Sequence, residues 1–124
     1  MSEAIETKNA PGAIGPYSQA IRAGNFIFVS GQIPVKPLDS TIPETVEQQA
    51  RQALENLQNI LIAANAGMQN VVKTTVFIKS MEDFAAINSV YAEFFSKPFP
   101  ARSCVEVSAL PKGVLIEIEA IASV

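Results

Sequence analysis

Val114-Leu115-Ile116-Glu117-Ile118-Glu119-Ala120-Ile121-Ala122 alternates without a break. Val114, Ile116, Ile118, Ala120 and Ala122 fall on one face of an extended chain, and Leu115, Glu117, Glu119 and Ile121 on the other. A period of two with one wholly apolar face reads as a strand laid on a core. Just upstream, Leu110-Pro111-Lys112-Gly113 reads as a turn, and Arg102 to Val107 alternates as a second strand. Phe26-Ile27-Phe28-Val29-Ser30, between Gly24 and Gly31, and Val71 to Lys79 are β-branched and aromatic runs that also read as strands. Residues 1–25 are turn-rich, at Asn9-Ala10-Pro11-Gly12, Gly15-Pro16 and Gly24-Asn25, with short extended pieces between.

Two stretches follow a different period. From Glu44 to about Ala66, Val46, Ala50, Leu54, Leu57, Leu61 and Ala64 make one helical stripe. Gln48, Gln49, Arg51, Gln52, Glu55 and Gln58 fill the other side, with Pro43 suited to the first turn and Gly67 to the stop. Ser80-Met81-Glu82-Asp83 resembles a capping box for a second helix, which aligns Phe84, Ile87, Tyr91 and Phe94 and ends at Pro98 and Pro100.

Strands, helix, strand, helix and two strands predict an α+β fold: a mixed sheet with both helices on one face. The length, 124 residues, fits a single domain spanning 1–124. Nothing in the chain is then left to cover the second sheet face, where Leu115 and Ile121, or Val105 and Val107, leave apolar surface. Burial against further copies predicts a homo-oligomer.

Charged residues are 17% of the chain, and the net charge is −3 with no run of Lys and Arg. Such a surface offers nothing to neutralise phosphates, so neither nucleic acid nor a membrane surface is an expected partner. The single cysteine excludes an intrachain disulfide. No signal peptide or membrane span is expected, and the cytoplasm is the expected compartment. Histidine is absent, which removes Ser-His-Asp and Cys-His catalysis and His-ligated zinc. No phosphate loop, dinucleotide fingerprint or metal-spaced Cys/His cluster is present, so no metal and no cofactor are expected.

Phe99-Pro100-Ala101-Arg102-Ser103-Cys104 is the most unusual segment. Pro98 and Pro100 restrict the backbone before Arg102, and a held guanidinium fork suits a carboxylate, at about 1.5–3 kcal/mol for hydrogen bonds to a charged group. Arg102 is also readable as a surface arginine at a strand end, the commoner place for one. Glu117, flanked by Leu115 and Ile121 on its own face, is either a half-buried carboxylate suited to proton transfer or a solvent-facing strand residue. Cys104, two residues after Arg102 on the same strand face, lacks a basic partner and reads better as a small pocket-lining residue than as a nucleophile. Tyr17 after the Gly15-Pro16 turn closes a pocket or fills the core. Ser30-Gly31 ends a strand at a turn that can aim backbone N–H groups at an oxygen, or is simply a turn. Asn88 beside Ile87 is a ligand or a solvated helix position.

In combination, Asn9-Ala10-Pro11, Gly15-Pro16-Tyr17-Ser18-Gln19-Ala20, Ser30-Gly31-Gln32-Ile33-Pro34, Val72-Lys73-Thr74-Thr75-Val76-Phe77, Phe99-Pro100-Ala101-Arg102-Ser103 and Ile116-Glu117-Ile118-Glu119 resemble the signature of the Rid (YjgF) family, the reactive-intermediate enamine/imine deaminases. The resemblance spans nearly the whole chain and is strongest to the archetypal deaminase subgroup. It implies a chorismate-mutase-like fold and a barrel-like homotrimer with sites in inter-subunit clefts. It also implies hydrolysis of 2-imino acids such as 2-iminobutanoate and 2-iminopropanoate to 2-keto acids and ammonia. By position, Arg102 resembles the carboxylate-binding arginine and Glu117 the glutamate that handles water. Tyr17, Ser30, Gly31, Asn88 and Cys104 resemble substrate-binding pocket positions. Two departures stand out: Ser96-Lys97-Pro98 is a shorter linker than usual, and the loop at Asp39-Ser40-Thr41 lacks a glycine. The alternative function is a non-catalytic module that binds a 2-keto acid or similar small carboxylate.

Overall fold

The computed structural model describes residues 2–124. Six strands form one sheet: β1 (Ser2–Ile5), β2 (Ala20–Ala23), β3 (Phe26–Gln32), β4 (Val71–Ile78), β5 (Ala101–Glu106) and β6 (Ile116–Ser123). Two α-helices, α1 (Val46–Ala63) and α2 (Phe84–Tyr91), complete the fold. The sheet order is β1-β2-β3-β6-β4-β5, antiparallel except for the parallel pair β4–β5, which α2 connects. The expected α+β architecture with a mixed sheet is therefore observed.

The alternation from Val114 to Ala122 holds residue for residue. Val114, Ile116, Ile118, Ala120 and Ala122 are buried, whereas Leu115, Glu117, Glu119 and Ile121 retain exposure. Ile27 and Val29 of β3, and Thr74, Val76 and Ile78 of β4, share the buried face. They pack on Leu54, Leu57, Ile60 and Leu61 of α1 and on Ile87, Val90 and Tyr91 of α2.

Several sequence expectations shift. The first helix begins at Val46, because the Thr45 hydroxyl caps it by accepting from Gln48 N at 3.2 Å; Pro43 lies outside the first turn. Its end uses Asn65 at φ 60°, not Gly67, as the left-handed residue. Gln49, expected on the solvated side, is buried. Its Nε2 donates to Pro43 O and its Oε1 accepts from Leu115 N, both at 2.9 Å or less. Asn56 is also buried and donates to the carbonyls of Ile33 and Val35 at 3.0 Å each. These amides satisfy the backbone of the loop leaving β3 and of Leu115 just before β6, so polar residues take places in the core stripe. The Ser80 hydroxyl accepts from Glu82 N and caps a single 3-10 turn, Met81–Asp83; α2 starts only at Phe84 and stops at Tyr91, before Phe94.

The other sheet face is uncovered. Phe26 and Phe28 are each 45% exposed there and Val105 is 42% exposed, beside Ile21, Phe77, Leu115 and Ile121. No helix among the described residues is long and apolar enough to cross a membrane.

Candidate active site

Arg102 stands near the start of β5, beside Thr74 of β4 in the parallel register. That register turns its side chain toward α2. Phe84, Asn88 and Tyr91 are spaced four and three residues apart, so one stripe of α2 meets it. Arg102 Nη1 donates to Asn88 Oδ1 at 2.6 Å. The guanidinium carbon lies 4.9 Å from the Tyr91 ring centroid and 5.5 Å from that of Phe84. Cation–π attraction favours this seat, by roughly 0.5–1 kcal/mol where solvent reaches it. The other guanidinium N–H groups have no partner among the described residues. They border a cavity of about 420 Å³ lined by Asn88, Tyr91, Ala92, Phe99, Pro100 and Arg102. Cys104 follows on the same strand face and packs partly against the core. Burial pushes its thiol pKa up, with Arg102 opposing. A neutral, partly buried thiol is a poor nucleophile.

Glu117 is on β6 opposite Phe77 of β4 and points to the uncovered face. Burial raises its pKa first, and the like charge of Glu119 raises it further. Gly31 lies directly beneath it: a Cβ there would overlap the Glu117 carboxylate. The sheet register shifts between Val29 and Gln32, the irregularity that brings Gly31 under Glu117. Ser30 Oγ donates to Ser18 O at 2.6 Å and pins the adjoining loop. Tyr17 is 53% exposed, and its hydroxyl accepts from Ile14 N at 3.4 Å. Tyr17 and Gly31 line a second cavity, of about 540 Å³.

The seven sequence candidates thus form two groups. Arg102, Asn88 and Cys104 gather at the helix side of β5. Glu117, Gly31, Ser30 and Tyr17 gather where β3, β6 and the N-terminal loops meet. Arg102 and Glu117 project from opposite faces of the sheet, with β4 between their strands. Within one chain they make no contact. The sequence reading missed Tyr91 and Phe84, which it placed in a helical core stripe. The signal was their spacing around Asn88 at 84, 88 and 91. Among the described residues, no group of three or more His, Cys, Asp or Glu is placed to hold a metal.

A model of the endoribonuclease L-PSP family matches residues 7–124. A RutC family protein of Pyrococcus horikoshii is 57% identical over 123 residues, covering 98% of each chain. The 2-iminobutanoate/2-iminopropanoate deaminase of Escherichia coli K12 is 54% identical over 125 residues, again covering 98% of each. The crystal structure of E. coli TdcF with bound serine superposes at a TM-score of 0.95, with 50% identity and 98% of each chain covered.

Proposed function

The chain belongs to the endoribonuclease L-PSP family, the Rid or YjgF proteins, and from that membership we propose that it is a 2-iminobutanoate/2-iminopropanoate deaminase. It hydrolyses reactive 2-imino acids, or the enamines in equilibrium with them, to 2-keto acids and ammonia. The observation that carries this reading is the half-free guanidinium of Arg102, seated on aromatic rings beside a small-molecule-sized cavity. A planar fork with unengaged N–H groups is built to take a carboxylate. That a relative of 50% identity was crystallised with serine, an amino acid carrying a carboxylate, agrees with it.

The chemistry needs little more. Water adds to the protonated imine carbon, the carbinolamine loses ammonia, and a C=O bond replaces the C=N bond. Arg102 holds the carboxylate and so places the carbon. Glu117, its pKa raised by burial, accepts the proton of the attacking water and returns it to the departing nitrogen. The Gly31 N–H, Ser30, Tyr17, Asn88 and Cys104 shape the pocket. No metal or cofactor enters the scheme.

Because Arg102 and Glu117 lie on opposite sheet faces, we place the working site between subunits. Three copies close their uncovered sheets into a chorismate-mutase-like, barrel-like homotrimer, and each cleft takes Arg102 from one copy and Glu117 from the next. Burial of Phe28, Ile21, Ile121 and Val105 drives the assembly. The expected compartment is the cytoplasm, where pyridoxal-phosphate enzymes release enamines. The acidic surface and the absence of histidine disfavour nucleic acid as a substrate, whatever the family's name.

The test is a coupled reaction. A dehydratase acting on threonine generates the imine, and its loss is followed with and without the protein. Acceleration that disappears in Arg102→Ala supports the assignment. Imine decay equal to that in buffer, alongside saturable 2-oxobutanoate binding, would instead identify a non-catalytic carboxylate-binding module.

A further inference from the structure

Asn88 grips only one edge of the Arg102 fork, through Nη1 at 2.6 Å. One bond leaves the plane of the guanidinium free to tilt about it. What limits the tilt is the Tyr91 ring, 4.9 Å away. That ring is itself held at its far end. The Tyr91 hydroxyl and Thr74 Oγ1 are 2.7 Å apart, and the residues are 7% and 0% exposed. The Tyr91 ring also packs on Phe95, with centroids 4.6 Å apart. Thr74 is the β4 neighbour of Arg102 in the parallel register. A closed circuit results: β4 carries Thr74, Thr74 ties Tyr91 of α2, and the Tyr91 ring backs the guanidinium on β5.

We propose that the Thr74–Tyr91 hydroxyl pair is a positioning device that sets the plane of the Arg102 fork toward the substrate carboxylate. It rests on the reading of Arg102 as the carboxylate anchor. Tyr91 is no proton donor in this scheme. Its hydroxyl is turned into the core and engaged by Thr74, and burial raises its pKa. A phenylalanine would fill the same space but would lose the tie that fixes α2 to β4, the strand beside β5. The choice of tyrosine over phenylalanine at a buried helix position thereby acquires a function in the site.

The two substitutions that test it are Tyr91→Phe and Thr74→Val. Each alone leaves one buried hydroxyl without its partner and lowers stability. Together they remove both polar groups from nearly the same volume, and stability returns close to that of the wild type. The combined variant is therefore a folded protein that lacks only the tie. Isothermal titration with 2-oxobutanoate gives Kd, and the coupled imine assay gives kcat and KM. The expected result is a Kd and KM about fivefold to tenfold higher in the combined variant, with kcat changed less. In an Arg102→Lys background, which keeps the charge but has no fork to orient, the same two substitutions change Kd less than about twofold. Wild-type Kd and KM in the combined variant would overturn the proposal. So would a penalty of equal size in the Arg102→Lys background, which would mark a purely structural role. A wild-type chain whose 2-oxobutanoate affinity depends on this tie but that leaves imine decay unchanged overturns the deaminase reading alone. A wild-type chain that binds no 2-oxobutanoate overturns the positioning role together with the anchor.

Discussion

Gly31→Ala separates the placement of Glu117 from the integrity of the fold. Gly31 is not among the residues with positive φ, so its backbone accepts alanine. Replacing glycine at a compatible site stabilises by about 0.4–1 kcal/mol through the unfolded chain. Against this stands a steric conflict. The new Cβ would overlap the Glu117 carboxylate and approach its Cδ to 2.9 Å and its Cγ to 3.1 Å. The atoms displaced are the far end of a flexible, half-exposed side chain, so the cost falls near the low end of overpacking, about 1 kcal/mol. The two effects nearly cancel, and Tm should move by less than about 5 °C. Activity should not cancel. The carboxylate must swing aside by an ångström or more, and a misplacement of about 1 Å costs about 10²-fold in rate. The backbone N–H at position 31 survives, so the loss reports on Glu117 and not on that donor. The assay is kcat/KM in the threonine dehydratase-coupled reaction, with thermal unfolding measured on the same preparation. Wild-type kcat/KM would refute the claim that Glu117 works from above Gly31. A Tm fall of more than about 10 °C would refute the steric bookkeeping.

Asn88→Ala removes the hydrogen bond that Asn88 Oδ1 accepts from Arg102 Nη1 and should raise KM by about tenfold with little change in kcat; steady-state kinetics checks it, and an unchanged KM counts against the assigned role. Glu117 must be ionised to accept a proton and its pKa is raised, so kcat/KM should fall as pH drops, at a pH above the ordinary glutamate value of 4.5. Glu119→Gln removes the like charge and should move that acid limb to lower pH, read from a pH–rate profile; a shift upward would contradict the cause given. Through the same raised pKa, Glu117 favours the folded state below the ordinary carboxylate pKa, and that contribution is lost as pH rises through the raised value. Phe28→Glu puts a charge on the uncovered face and should leave monomers by native mass spectrometry; an intact trimer would place the interface elsewhere.

Where one face of an element meets the core, the residues alone sufficed. The alternation of 114–122 named the buried set Val114, Ile116, Ile118, Ala120 and Ala122 without error, because a period of two permits only one inward face. Where partners lie far apart in the chain, the residues were silent. Gln49 and Asn56 resemble any solvated glutamine or asparagine until Pro43, Leu115, Ile33 and Val35 are seen around them. Tyr91 has the same history: the helical period reports an apolar position, and only the register of β4 with β5 brings Thr74 and Arg102 to it. The pairing of Arg102 with Glu117 came from resemblance. That they project from opposite faces depends on the registers of β5 and β6 with β4, Arg102 beside Thr74 and Glu117 beside Phe77, which no local pattern encodes.

The central claim, a site shared between chains, is tested most directly by mixing two dead proteins. Arg102→Ala and Glu117→Gln are each expected to be inactive in the imine assay. If each cleft draws Arg102 from one copy and Glu117 from its neighbour in a closed ring, equal amounts unfolded and refolded together restore both residues in about one cleft in four. Recovery of about a quarter of wild-type activity is the predicted result. Activity no greater than that of the separate variants, in mixed trimers verified by mass, would place both residues in the same chain's site and contradict the account.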